Sequence, residues 1–226
     1  MKLSSVKKAC QIVDKAFLYV LKTVKVGESE KDLASRIDKF IKNEGDRLAF
    51  PTIIATGPHS YFIHHKPCRR RIRENEPILL DFGAKFEDFC SDLSRTIFIG
   101  NIPKKFKEIY NLVLKAQEAA IKKIKVGSLS SKIDEIARNI ISKAGFGKNF
   151  KHTLGHGLGI AVHQSPSISP KSKEILKKGD VITIEPGIYL KGEGGVRIED
   201  DILVTKTGLI MLTKSLKKMN EVIVSR

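Results

Sequence analysis

An internal repeat constrains the fold of this chain more than any other feature of its sequence. Residues 21–45, LKTVKVGESEKDLASRIDKFIKNEG, resemble residues 121–145, IKKIKVGSLSSKIDEIARNIISKAG. In both copies the apolar periodicity predicts an amphipathic helix before KVG and a second helix after it, which a glycine ends. The chain therefore divides into two related halves, about residues 1–100 and 101–226.

The repeat continues into the predicted strands. PILLDFG, residues 77–83, resembles VITIEPG, residues 181–187, because each has a short apolar strand pattern followed by an acid, one residue and glycine. A second extended segment follows each of them, FCSDLSRTIFIG at 89–100 and VRIEDDILVT at 196–205. Each half thus predicts an antiparallel hairpin with an acid on both arms, and the acids are Asp81, Asp92, Glu185 and Glu199. Helices and hairpins in two related halves predict an α+β fold with a pseudo-twofold axis, where a site would take ligands from both halves.

Length and composition narrow the class of protein. The 226 residues predict a single domain with a substantial core, and 41% hydrophobic residues without an apolar run near twenty residues argue against a membrane protein. The N-terminal residues lack the apolar centre of a secretory signal. Three cysteines without a C-x-x-C pair favour a reducing compartment and indicate no structural zinc framework. We expect a cytoplasmic protein.

The net charge of +16 leaves two interpretations open. A basic surface can attract a ribosome or a nucleic acid through phosphate contacts. However, the lysines are spread along the whole chain, and the one dense cluster is CRRRIREN at 68–75. An evenly charged, solvated surface is the more common meaning of this pattern.

The four strand acids predict a metal centre. Burying four unpaired carboxylates together is costly, and two divalent cations would balance their charge. In a two-metal centre a bridging water becomes a nucleophilic hydroxide near neutral pH, and the metals polarise a carbonyl group. Oxygen ligands with one imidazole suit manganese, cobalt, iron or zinc. Histidines near the acids could shuttle protons and stabilise an oxyanion.

Two other interpretations of these motifs fit less well. GHGLG, residues 155–159, superficially resembles a phosphate-binding loop, but it lacks the G-x-G-x-x-G spacing, and the preceding KNFKHTL is too polar for a buried parallel strand. A glycosidase would use two carboxylates and leave the other two, with the histidines, without a role.

The motifs taken together resemble a known family. They are HHKP at 64–67, LLDFGAKFEDFCSDLSRT at 79–96, HTLGHGLGIAVH at 152–163, TIEPGIYL at 183–190 and GGVRIEDDILVT at 194–205. In this order they are similar to the pita-bread metallopeptidases, which comprise the methionine aminopeptidases, Xaa-Pro aminopeptidases and prolidases. The resemblance implies the pita-bread fold, with an antiparallel sheet and outer helices in two pseudo-twofold halves, and hydrolysis of the N-terminal peptide bond of peptides.

The resemblance also implies roles for individual residues. The dimetal ligands would be Asp81, Asp92, His156, Glu185 and Glu199, with Glu185 also moving a proton. His64 and His163 match the histidines that hold the substrate and stabilise the oxyanion. His152 matches a further histidine of the Xaa-Pro branch, and Arg197 matches that branch's arginine, which supports the ligands from the same strand face as Glu199.

The branch of the family rests on finer details. HHKP and GGVRIEDD favour an Xaa-Pro peptidase. From the length we expect a catalytic domain without an N-terminal creatinase-type domain, which keeps a methionine aminopeptidase open. A catalytically silent peptide- or ribosome-binding module is a further alternative, against which the full ligand set argues. A homodimer stays open.

Four residues depart from the family pattern: Phe89, Ser94, His59 and Gln164. We expect none of them to touch a ligand. Gln164 replaces an acid beside His163, so the sequence predicts that His163 loses a neighbouring negative charge and titrates lower than in relatives.

Overall fold

The computed structural model describes residues 2–224. Four α-helices fall where the repeat predicts them: α1 Leu3–Thr23, α2 Glu30–Glu44, α3 Lys104–Ile121 and α4 Ser130–Lys143. Three single turns of 3₁₀ helix lie at Gly57–Tyr61, Gly147–Asn149 and Met219–Glu221. Among the described residues, no helix has the length and apolar character needed to span a membrane.

The strands divide between the two halves. The first half holds β1 Arg47–Leu48, β2 Ile53–Thr56, β3 Ile78–Phe82, β4 Ala84–Phe86, β5 Phe89–Cys90 and β6 Leu93–Ile99. The second half holds β7 Gly155–Gly157, β8 Gln164–Ile168, β9 Val181–Ile184, β10 Gly187–Leu190, β11 Gly194–Arg197, β12 Asp200–Thr205, β13 Gly208–Met211 and β14 Ile223–Val224.

Local sequence explains the paired helices. In α2 the side chain of Ser29 accepts the N–H of Asp32 and caps the helix, and two acids in the first turn favour its positive end. Gly45 follows the last turn of α2, and Gly145 occupies the matching place after α4 with a φ of +89°. The apolar faces of all four helices contribute to one buried cluster that also includes residues of the central strands.

Two main sheets carry the repeat. One has the order β14-β6-β3-β2 and the other β13-β12-β9-β7-β8. In the first sheet β3 pairs antiparallel with β6, so that Asp81 lies opposite Ser94; in the second β9 pairs antiparallel with β12, so that Ile184 lies opposite Asp200. Two helices followed by an antiparallel strand pair, β3 with β6 or β9 with β12, therefore occur twice, as the sequence predicts.

The second arm of each predicted hairpin is not one continuous strand. FCSDLSRTIFIG is divided between β5 and β6, and VRIEDDILVT is divided between β11 and β12. In each case the first piece joins a small separate sheet, β1-β4-β5 or β10-β11, while the second piece pairs with the acid-bearing strand. Asp92 and Glu199 lie at these two breaks, where the chain leaves one sheet and enters another.

Candidate metal centre

The four predicted carboxylates converge on one cavity of about 290 Å³. Asp81 projects from β3, Glu185 follows β9, and Asp92 and Glu199 lie at the two strand breaks. His64, His156, His163 and Arg197 line the same cavity. His152 instead lines an adjoining cavity, which shares His64, His156, His163 and Glu185 with the first. All predicted site residues therefore meet at the junction of the two halves.

His156 lies among the carboxylates. Its Nε2 is 3.2 Å from Oε1 of Glu185 and 3.7 Å from Oδ2 of Asp92. One ligand atom from each of His156, Asp92 and Glu199 lies within 4.8 Å of the other two. Nδ1 of His156 is 3.1 Å from the carbonyl oxygen of Gly157, which favours the tautomer that presents Nε2 to the acids.

Two carboxylate oxygens of the centre have no protein partner. Oδ1 of Asp81 and Oε1 of Glu199 are buried without a hydrogen bond among residues 2–224. Buried polar atoms are otherwise nearly always bonded, so these atoms need a partner from outside the chain. The carboxylate-rich donor set with one imidazole fits divalent cations.

The pKa shifts of the carboxylates also indicate a site for cations. Burial, followed by the repulsion of neighbouring acids, raises the pKa of Asp92 and of Glu199 well above their ordinary values. Burial also raises the pKa of Asp81 against the opposing charge of Arg197. Burial by itself would raise the pKa of Glu185 as well. The hydrogen bond with His156 and the charges of the nearby histidines nevertheless hold this pKa below the ordinary value. A site of this kind is electrostatically incomplete without added positive charge.

Arg197 is bonded to the carboxylates of the centre. It is the last residue of β11, and it lines the same cavity as Glu199, two positions further along the chain. Its Nη2 donates to Oδ2 of Asp81 at 2.5 Å, and its Nε donates to Oγ of Ser94 at 2.7 Å. Ser94 in turn donates to Oε2 of Glu199 at 2.7 Å. Arg197 is thus a buried support that joins Asp81 to Glu199 through a hydroxyl.

Ser94 corrects an expectation from the sequence. We expected that none of the departures from the family pattern touches a ligand, yet the Ser94 hydroxyl contacts Glu199 directly. The sequence could not reveal this contact, because Ser94 and Glu199 belong to different halves.

His152 belongs to the same buried network. Its Nε2 lies 2.8 Å from the hydroxyl of Tyr189, which accepts from Nη1 of Arg197 at 2.9 Å. Its Nδ1 lies 3.9 Å from Oε2 of Glu185. Burial lowers the pKa of His152. Tyr189 was not singled out from the sequence, where it is one more aromatic residue in a strand.

His163 and His64 stand at the exposed mouth of the cavity. The ring of His163 packs 4.2 Å from the ring of His156, measured between centroids. Partial burial, followed by the nearby His156, lowers the pKa of His163. Gln164 is not among these causes, and its predicted effect on His163 relative to that in relatives stays a prediction.

The glycines around His156 allow close packing of backbone. A Cβ atom at Gly155 would overlap the carbonyl oxygen of Thr183 in β9, and one at Gly157 would overlap that of Ser165 in β8. The absent side chains therefore bring β7 close to its neighbouring strands, which places His156 beside Glu185.

Asp201 is a further residue that sequence reasoning missed. Its Oδ2 accepts the backbone N–H of Asp92 at 2.9 Å and the thiol of Cys10 at 3.4 Å. Burial raises the pKa of Asp201 to about 8. Asp201 thereby fixes the backbone at the β5–β6 break. Its position inside IEDDILVT gave the only signal, a third consecutive acid.

Comparisons with known proteins show the family to which this chain belongs. The model of metallopeptidase family M24 matches residues 4–206. An Xaa-Pro dipeptidase of Pyrococcus horikoshii is 42% identical over 215 residues, which cover 95% of this chain and 61% of the relative. The prolidase structure from Thermococcus sibiricus superposes with a TM-score of 0.95 at 44% identity, covering all of this chain and 61% of that one. An X-Pro aminopeptidase structure from Thermotoga maritima gives a TM-score of 0.94 at 35% identity, covering 100% of this chain and 63% of that one.

These likenesses confirm the predicted pita-bread fold and the resemblance on which it was based. The chain spans about three fifths of the length of the relatives that it matches. Its family match covers both halves of the repeat and every residue of the metal centre described above. The chain is a member of metallopeptidase family M24.

Proposed function

We propose that this protein is a dimetal-dependent exopeptidase of the Xaa-Pro type, which hydrolyses the N-terminal peptide bond of peptides. The observation that carries the proposal is the junction cavity, where four carboxylates and His156 converge and two buried carboxylate oxygens lack a hydrogen-bond partner in the described part of the chain. The names of the similar proteins, Xaa-Pro dipeptidase, prolidase and X-Pro aminopeptidase, support the substrate class.

Asp81, Asp92, His156, Glu185 and Glu199 are the proposed ligands of two divalent ions, with manganese or cobalt as the first candidates and iron or zinc as others. When bound, such ions supply Lewis acidity for a water nucleophile and for the carbonyl group of the scissile bond. The donor set and the uncompensated negative charge of the site support this assignment.

The chain's own residues supply the proton transfers and the orientation of the substrate. Glu185 is the proposed proton shuttle, since the hydrogen bond with His156 and the nearby histidines hold its pKa below the ordinary value against burial, and the side chain is therefore ionised and free to take up a proton. His64 and His163 stand at the cavity mouth, where a substrate carbonyl would enter. A largely neutral His163 can donate one hydrogen bond to a developing oxyanion.

Arg197 and His152 are positioned to hold the side chains of the metal centre in place. Arg197 fixes Asp81, and through Ser94 it fixes Glu199, so that carboxylates from both halves are held by one guanidinium group. Tyr189 joins this group to His152, which faces Glu185. We propose that this network orients the ligands and Glu185 before substrate binds.

Cell location and assembly are inferred from the sequence. All three cysteines are free thiols in the structure, which supports the proposed cytoplasmic, reducing environment. A homodimer, and a contact between the basic surface and a ribosome or nucleic acid, stay predictions.

Peptide cleavage by the purified, metal-loaded chain tests the function. The protein is loaded with Mn²⁺ or Co²⁺ and given Ala-Pro, Ala-Pro-Ala and Met-Ala-Ser, with EDTA-treated protein as the control. We expect chelator-sensitive release of the N-terminal residue from one or both of the proline peptides. Cleavage of Met-Ala-Ser alone would instead assign methionine removal, and no cleavage of any peptide would favour a silent binding module.

The substitution Glu185→Gln tests the proton shuttle. It keeps the size and one oxygen of the side chain but removes the base, so turnover of the preferred peptide should fall by about 10²–10⁴-fold. Circular dichroism and thermal unfolding should show a folded protein. Near-normal turnover would contradict the role of Glu185.

A further inference from the structure

A second cluster of potential metal ligands lies beside the metal centre. It consists of Glu30, His59, His65 and Cys68, and one ligand atom from each lies within 4.8 Å of the other three. Glu30 begins α2, His59 lies in the 3₁₀ turn, and the other two follow in the loop. His65 and its neighbour His64 both line the junction cavity.

The distances within this cluster resemble the edges of a coordination tetrahedron. Oε1 of Glu30 lies 3.0 Å from Nδ1 of His59. Oε2 of Glu30 lies 2.8 Å from Nε2 of His65 and 3.2 Å from Sγ of Cys68. Sγ of Cys68 is 3.9 Å from Nδ1 of His59. With Zn–N and Zn–S bonds of ordinary length, tetrahedral edges are about 3.3–3.6 Å. A single oxygen of Glu30 would serve as the ligand, and because one donor atom from each residue lies within 4.8 Å of the other three, shifts of up to about 1 Å would bring all four atoms around one ion.

The donor types select a softer metal than the carboxylate centre does. One thiolate and two imidazoles favour Zn²⁺ over Mn²⁺ or Mg²⁺. A Glu30 carboxylate and a Cys68 thiolate would balance the charge of the ion. Binding releases the thiol proton of Cys68 to solvent, and the backbone N–H of Arg70, 3.3 Å from Sγ, can stabilise the thiolate.

The surroundings hold the ligands in place. The Glu30 side chain is fully buried, and its oxygens accept the backbone N–H groups of Thr56 at 2.9 Å and Cys68 at 3.2 Å. The His59 and His65 side chains are 31% and 14% exposed, so an ion has access from solvent. Four protein ligands leave no open position, as in structural zinc sites.

We propose that Glu30, His59, His65 and Cys68 bind one Zn²⁺ ion in addition to the ions of the carboxylate centre. The ion ties the start of α2 to the loop that carries His64, and so fixes one wall of the cavity. The spacing of the ligands, at positions 30, 59, 65 and 68, contains none of the short cysteine pairs by which zinc sites are found in sequences.

Cobalt substitution tests the proposal without use of peptidase activity. Metal-stripped full-length protein is titrated with Co²⁺, and the absorption spectrum is recorded. We expect a thiolate-to-cobalt charge-transfer band and the intense visible bands of tetrahedral cobalt, both lost in Cys68→Ser and retained in the matched control Cys90→Ser. Because no cysteine belongs to the proposed dimetal ligands, this band reports the second cluster even if the carboxylate centre binds nothing.

Zinc content gives an independent count. After gel filtration of zinc-saturated protein, Cys68→Ser and His59→Asn should each carry one zinc ion per chain fewer than the wild type or Cys90→Ser. In the unsubstituted protein, Zn²⁺ should protect Cys68 from iodoacetamide, which keeps the test valid if a variant fails to fold. Equal zinc content in all proteins, no charge-transfer band and no protection would show that Glu30 is only a hydrogen-bonded anchor for the loop, and would overturn the proposal.

Discussion

Glu199 and Asp200 are adjacent in the sequence and both are buried, yet their surroundings are opposite. Asp200 accepts from Nη2 of Arg95 at 2.7 Å and from Nζ of Lys217 at 2.6 Å, and the two cations hold its pKa below the ordinary value although burial acts upward. Among residues 2–224, Oε2 of Glu199 accepts a hydrogen bond from the Ser94 hydroxyl, and its buried Oε1 accepts none. One carboxylate is neutralised by the protein, and the other is left for something that the protein binds.

The difference follows from where the two side chains point. Successive side chains in extended backbone point to opposite sides. At the start of β12, Asp200 points toward α3 and the C-terminal segment, where Gln117 and Lys217 donate hydrogen bonds to it. Glu199 points into the junction cavity. Arg95 binds Asp200 and also donates to the backbone carbonyl of Glu199. The compensated acid therefore anchors the uncompensated one.

The largest expected effect comes from removing the compensated acid. Asp200→Asn leaves the buried charges of Arg95 and Lys217 without their partner, and should lower the free energy of unfolding by about 3–5 kcal/mol. Urea unfolding of metal-free protein measures this. The control Glu135→Gln breaks the exposed pair with Lys132 and should cost less than about 1 kcal/mol. An equal effect of the two substitutions would mean that Asp200 is not an anchor.

Added metal should raise the free energy of unfolding only where the carboxylates of the metal centre are intact. At a free Mn²⁺ concentration of about 100 times Kd, each bound ion should raise the free energy of unfolding by about 2.7 kcal/mol. Asp92→Asn should lose most of this gain, whereas Asp200→Asn, although less stable, should keep it. Thermal unfolding with and without Mn²⁺ checks both. If Asp200→Asn lost the gain and Asp92→Asn kept it, the two roles would have to be exchanged.

The hydroxyl of Ser94 tests how the two halves are held together. Ser94→Ala leaves Nε of Arg197 and Oε2 of Glu199 buried without this partner, and should cost about 1–3 kcal/mol in unfolding free energy. Ser94→Thr keeps the hydroxyl and should be close to neutral. Comparison of the two variants by urea unfolding separates the hydrogen bonds from packing, and equal losses would show that packing alone matters at this position.

Whether a feature of the structure could be predicted from the sequence depends on how far apart along the chain the interacting residues lie. The helices and the pairing of β3 with β6 and of β9 with β12 follow from local patterns that occur twice, so they could be predicted. The convergence of Asp81, Asp92, Glu185 and Glu199 followed from the same repeat, because equivalent arms of two related halves meet at one axis.

Contacts between the halves could not be predicted in the same way. In VRIEDDILVT the alternation of apolar and polar residues stops at three consecutive acids, 199–201, but such a run does not by itself show that the chain leaves one sheet and enters another at Glu199. The bond from Arg197 to Asp81 spans 116 positions, and that from Ser94 to Glu199 spans 105, so no periodicity or short motif encodes them. The contrast between Glu199 and Asp200 likewise depends on cations brought from elsewhere by folding.

The smallest expected effect is a gain in stability on substitution of Glu199, and it is the sharpest test of the difference between Glu199 and Asp200. In metal-free protein, Glu199→Gln removes a carboxyl group whose pKa is raised well above its ordinary value by burial and by the repulsion of Glu185 and Asp81, while its amide oxygen can still accept from Ser94. The free energy of unfolding should therefore rise by about 1 kcal/mol, although Asp200→Asn one residue away lowers it. With saturating Mn²⁺ the order should reverse, because the wild type gains ligand binding that the variant lacks. Urea unfolding of both proteins in EDTA and in Mn²⁺ gives the four values, and a destabilised Glu199→Gln in EDTA would show that Glu199 is already compensated within the protein.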